Sequence, residues 1–143
     1  MTQELDRFLS AQALVHDQAL AELRRGRKTS HWMWFVFPQI AGLGRSETAQ
    51  FYAIRDAAEA RAYLAHPLLG PRLIEATRTV SAARGSATAI LGEIDAMKLQ
   101  SSMTLFAAVA DDPAPFAVAL ARFYGGVRDA TTLDLVRRDD GAT

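Results

Sequence analysis

Apolar residues recur at three- and four-residue intervals through one segment after another of this 143-residue chain, and glycine, proline or a small polar residue closes almost every segment. A period of 3.6 residues lines such positions along one helix face, whereas a half-buried strand needs a period of two, so the pattern predicts amphipathic helices. Leu5, Phe8, Leu9, Val15, Ala19, Leu20 and Leu23 form the first stripe, with Thr2 as N-cap and Gly26 as the stop, which predicts one long helix over 2–25. Gln12 and His16 continue the line from Phe8 by fours and are expected at its rim, in contact with water. Deeper in, each would need a hydrogen-bond partner.

The run from Ser30 to Gln39 (Ser30-His31-Trp32-Met33-Trp34-Phe35-Val36-Phe37-Pro38-Gln39) holds both tryptophans of the chain, two of its seven phenylalanines and one of its three histidines. Aromatic side chains bury large areas, and a buried indole N–H needs a partner, so this density marks the centre of a core or the wall of a pocket. Ser30 or Thr29 as cap and Pro38 as terminator favour a short helix here over an isolated strand with nothing to pair with. The glycine turn Gly42-Leu43-Gly44-Arg45-Ser46 follows, with Ser46 as cap of a helix from Glu47 towards Arg55. Asp56 and Glu59 make a capping box for a helix over 57–65.

Pro71 sits at the first position of the next predicted helix, which carries Leu73, Thr77 and Val80 to Gly85, and Ser86 opens a short helix ended by Gly92. Asp95 is expected to cap a helix over 96–110 with the stripe Leu99, Met103, Phe106 and Ala110. Asp112-Pro113 starts another, carried by Phe116, Leu120 and Phe123 to Gly125-Gly126. Thr131 and Asp134 could cap one last turn. The expected fold is therefore all-α, a compact single-domain bundle of about six to eight helices, some short, over 1–136, with a solvated C-terminal tail over 137–143.

Sixteen basic and sixteen acidic residues cancel, which disfavours general nucleic-acid binding, since that relies on surplus positive charge. With no cysteine, disulfides, thiolate catalysis and cysteine metal sites are excluded. The acidic, polar start and the lack of any apolar stretch near the ~18 residues of a bilayer span predict a cytoplasmic protein without membrane contact.

Several clusters could carry chemistry. The glycine turn with Arg45 and Ser46 could cradle an anion on converging backbone N–H groups, or could simply allow the chain to turn. Lys98, Ser101, Ser102 and Leu105 share one helical face, where a lysine beside hydroxyls could hold a carboxylate or phosphate, or activate a serine if burial lowered its pKa. His31 beside two tryptophans could act as an acid/base, or could be a packed histidine bonded to backbone. The three histidines lack metal-ligand spacing, so no metal or other cofactor is expected.

Arg7-Phe8-x-x-Ala11-Gln12, Gly26 to Gln39, Gly42 to Ser46, Glu59-Ala60-Arg61-Ala62-Tyr63-Leu64-x-His66-Pro67, Lys98-x-x-Ser101-Ser102-Met103-Thr104-Leu105-Phe106 and Tyr124-Gly125-Gly126 together resemble the bacterial family catalogued as domain of unknown function 1810. The resemblance spans nearly the whole chain and implies a small all-helical fold, without supplying an activity. Its signature positions (Gln12, Ser30, His31, Trp32, Trp34, Gln39, Arg45, Lys98, Ser101 and Ser102) are polar or aromatic, where a purely packing signature would be aliphatic. That leads us to expect one pocket where the aromatic segment meets the Lys98 helix and the glycine turn. In it a small anionic, nucleotide-like or phosphorylated ligand would stack on Trp32 or Trp34 and be neutralised by Arg45 and Lys98. Gln12, Gln39 and Ser101 would orient it, with Ser102 nearby. Two alternatives stay open: a hydrolase or transferase using His31, and a protein-docking or homodimer module built on the 31–39 segment.

Overall fold

The computed structural model describes residues 2–141, and the side chains of 5–138. Among the described residues ten helices follow in order: α1 (Thr2–Gln12), α2 (His16–Arg24), α3 (Met33–Val36), α4 (Glu47–Phe51), α5 (Ala57–Ala65), α6 (Leu69–Ala82), α7 (Ala87–Leu91), α8 (Glu93–Val109), α9 (Ala114–Tyr124) and α10 (Ala130–Gly141). Among the described residues there is no strand, only an isolated parallel bridge between Ile40 and Ile54, and the fold is all-α as expected. No described helix is long and apolar enough to cross a membrane.

The single long helix expected over 2–25 is two helices. Gln12 explains the break: far from meeting water at the rim, its side chain is buried, donating to the Phe35 carbonyl at 2.7 Å and to the Tyr63 hydroxyl at 3.0 Å. Residues 13–15 then turn, Leu14 points into solvent, and His16 starts α2 with its side chain 12% exposed and 3.2 Å from Glu75.

Other boundaries differ from the sequence expectation as well. Neither Thr29 nor Ser30 caps α3, which starts at Met33 while the Ser30 hydroxyl donates to Glu22, and α4 stops at Phe51 short of Arg55. α6 starts two residues before Pro71 because His66 Nδ1 accepts from the Leu68 and Leu69 N–H groups at 3.1 and 3.3 Å and so caps it. α8 starts at Glu93, after Gly92 at a φ of 90° that only glycine adopts freely, which places Asp95 inside the first turn. Asp129, not Thr131 or Asp134, caps the last helix by accepting from the Thr132 N–H at 3.0 Å, and α10 runs through residues 137–141, where a tail was expected.

α8 is the central helix. Apolar residues surround it on nearly all sides, and α5, α7, α9 and α10 pack against it. A line of rings crosses the core: Phe8 meets Tyr63 edge-on at 5.1 Å, Tyr63 meets Phe106 at 5.5 Å, and Phe106 meets Phe116 at 5.8 Å. The segment linking α2 to α3 lies across the bundle, anchored where the Lys28 N–H donates to the Ile90 carbonyl of α7 at 2.7 Å.

Candidate functional site

Glu22 lies on the inner face of α2 beside Ala19, Leu20 and Leu23, and no part of it reaches solvent. A bare carboxylate there would be strongly disfavoured. It is instead saturated: Oε1 accepts from the Thr29 N–H at 2.7 Å, the Ser30 N–H at 3.0 Å and the Trp32 indole N–H at 2.9 Å, and Oε2 from the Ser30 hydroxyl at 2.5 Å and Gln18 Nε2 at 3.1 Å. Burial pushes the carboxyl up, but the bonds from Ser30, Thr29, Trp32 and Gln18 outweigh it and hold the group well below the usual carboxylate range. The result fixes the 29–32 backbone against α2 and locks the fully buried Trp32 ring in place.

With Trp32 fixed, the short α3 turns Met33, Phe35 and Val36 inward and leaves Trp34 half-buried at the surface. Lys98, reaching over from α8, sets its Nζ 4.9 Å from the Trp34 ring centroid, within cation–π range. Asp95, one turn earlier, lies between two ammonium groups: Lys28 Nζ is 2.9 Å from Oδ2 and Lys98 Nζ is 3.7 Å from Oδ1. Lys28 also stands 5.2 Å from the Trp32 ring. One carboxylate thus serves two lysines beside an accessible indole, with Lys98 the more exposed cation at 24% against 10% for Lys28 and the more weakly held, at 3.7 Å against 2.9 Å. Such a corner can accept an anionic group and offer a flat apolar surface to the rest of a ligand.

The expected site residues do not all gather there. Lys98 and Trp34 are brought together, and Trp32 lies behind them. Gln12 is committed to the core, where its Oε1 also faces Arg72 at 3.4 Å. Ser101 donates to the Met97 carbonyl of its own helix at 3.3 Å, and Ser102 is fully buried, its Oγ without a hydrogen-bond partner among the described residues. Gln39 is half-buried beside the Ile40–Ile54 bridge, its carbonyl accepting from the Ile54 N–H at 2.8 Å. Arg45 is exposed on the glycine turn, and no contact among the described residues links its side chain to Lys98 or Trp34. In that turn Ser46 caps α4, accepting from the Ala49 N–H at 3.1 Å.

His31 is exposed, and no described group orients its ring. Of the 31–39 segment only His31, Trp34 and Gln39 reach solvent, because the other six side chains are buried. Among the described residues no group of three histidine, aspartate or glutamate side chains could hold a metal ion.

Sequence reasoning missed Glu22, Lys28 and Asp95 as parts of this corner. Glu22 left one signal, a carboxylate placed beside the apolar stripe of α2. Asp95 reads as a cap until the helix start is seen to lie at Glu93, which frees its side chain for the two lysines.

Among solved structures, the conserved hypothetical protein Rv1873 from Mycobacterium tuberculosis superposes with a TM-score of 0.91 at 51% identity, covering 93% of this chain and 96% of that one. No curated protein matches the chain. The family described as protein of unknown function DUF1810 matches residues 2–136, through the aromatic segment, the glycine turn and the Lys98 helix alike, and the chain belongs to that family.

Proposed function

We propose that the protein binds a small anionic ligand, nucleotide-like or phosphorylated, at the corner formed by Trp34, Lys98, Lys28 and Asp95. The observation that carries this reading is the sharing of Asp95 between two lysines next to a half-exposed indole. A phosphate or carboxylate would pair with the exposed and loosely held Lys98 ammonium, and an attached ring would lie on the apolar surface of Trp34. Trp32 and Glu22 act behind the site as positioning residues. Gln12, Arg45, Gln39, Ser101 and Ser102 have no contact with the ligand in this arrangement, and His31 is exposed and takes no part in it.

The test is tryptophan fluorescence and thermal-shift titration against a panel of ribonucleotides and sugar phosphates. At least one compound should quench or shift Trp34 emission and raise the melting temperature. Lys98→Ala should weaken that compound by roughly tenfold to a hundredfold, the effect of losing a charge-assisted hydrogen bond of about 1.5–3 kcal/mol. A panel without any response, or full affinity in the Lys98→Ala protein, overturns the reading.

A further inference from the structure

A second cleft lies away from this corner, between α2 and α6, with a volume of about 790 Å³. It is open to solvent along its length. Its walls are mixed. Pro71, Ile74 and Ala82 supply apolar surface, while Arg24 from the last turn of α2 and Arg78 from α6 stand on the two sides.

The polar groups around the cleft differ in how far they are already satisfied. Glu75, one turn before Arg78 on α6, pairs with His16 at 3.2 Å, and the Thr79 hydroxyl is turned back onto the Glu75 carbonyl at 2.7 Å. Arg24 and Arg78 have no ion pair or side-chain hydrogen bond among the described residues, although Glu75 lies at helical spacing from Arg78. Glu75 lines the cleft too, so its carboxylate offsets one of the two exposed guanidinium groups; with Arg24 and Arg78 both unpaired among the described residues the cleft keeps a surplus cation beside its apolar surface, which suits an anion on a hydrocarbon body.

We infer that the α2–α6 cleft is a second binding site, for an organic anion: a small molecule with an apolar or aromatic body bearing a carboxylate, sulfonate or phosphate group. The arginines hold the charged group and Pro71, Ile74 and Ala82 cover the body. This inference stands independently of the Trp34 corner.

The probe that tests it is 8-anilinonaphthalene-1-sulfonate, which carries one anionic group on an aromatic body and brightens when it leaves water. Titrated into the Lys98→Ala protein, in which the Trp34 corner has lost its exposed cation, it should show saturable enhancement at one site per chain. Arg24→Ala and Arg78→Ala, each added to Lys98→Ala, should weaken the dye at least tenfold with unchanged far-UV circular dichroism, as both side chains are exposed. No enhancement, or enhancement that both arginine variants retain, would overturn the inference. The Lys98→Ala background keeps the two sites apart, since failure of the cleft leaves the nucleotide titration of the wild-type protein at Trp34 untouched.

Discussion

Glu22 decides where Trp32 and the chain before it lie, because its five hydrogen bonds come from Gln18, Thr29, Ser30 and Trp32. Glu22→Gln keeps the shape but turns an amide N–H₂ towards groups that are themselves donors, and removes the charge that strengthens every bond. We expect a loss of about 2–4 kcal/mol, read as a lower melting temperature at neutral pH. The pH dependence follows from the direction of the shift. A carboxyl held below its unfolded value of about 4.3 contributes stability that is fully present above that value and is lost as the pH falls through it towards the folded value. The wild-type melting temperature should therefore drop more steeply between pH 6 and 3 than that of Glu22→Gln, and equal slopes would assign the acid sensitivity to other carboxylates. At this scale the sequence was legible only in part. The aromatic run read as the centre of a core or the wall of a pocket, and the structure buries Trp32 while leaving Trp34 half-buried at the surface. Glu22 escaped notice and Gln12 was placed at the rim instead of in the core because several of their partners are backbone N–H and C=O groups, which carry no residue-type signal.

Several helix starts were legible, because a cap is a local device. Ser46, Asp56 and Ser86 accept from the Ala49, Glu59 and Ala89 N–H groups at 3.1, 2.8 and 3.0 Å, as their sequence positions imply. The α1–α2 break and the early start of α6 were not, since one depends on contacts from Gln12 to Phe35 and Tyr63, and the other on a histidine serving as cap. Gly70 shows the same limit. It reads as a loop glycine between two prolines, yet it lies inside α6 where that helix crosses the end of α5, and a Cβ built on it would stand 2.1 Å from the Leu64 carbonyl oxygen. Backbone cannot yield as a flexible side chain does, so Gly70→Ala must push α5 and α6 apart. Urea denaturation should show a loss of about 3 kcal/mol or more, the upper range for overpacking. Leu14→Ala, at a residue 93% exposed in the α1–α2 turn, should stay within about 0.5 kcal/mol and serves as the control.

Across the whole molecule, α8 carries the core and the candidate site on different faces. Leu99, Met103 and Phe106 point into the bundle, while Asp95 and Lys98 meet Lys28 and Trp34 at its surface. The ring line from Phe8 through Tyr63 and Phe106 to Phe116 joins α1, α5, α8 and α9, and Gln12 links Tyr63 to the carbonyl of Phe35 just beyond Trp34. The aromatic segment is thus fastened to the centre of the core by one hydrogen-bonded step, and to α2 by Glu22. If those links make one cooperative unit, removing a ring at the centre destabilises the segment and the bundle equally. Phe106→Ala deletes the ring that touches both Tyr63 and Phe116, and should cost about 3–5 kcal/mol. Unfolding followed by tryptophan emission, which reports only residues 32 and 34, should coincide with unfolding followed by far-UV circular dichroism, in the wild type and in the variant alike. Emission that changes at lower denaturant than the helical signal would show the 30–39 segment leaving the core on its own, and would make the position of Trp34 over Lys98 a property of that segment instead of the fold.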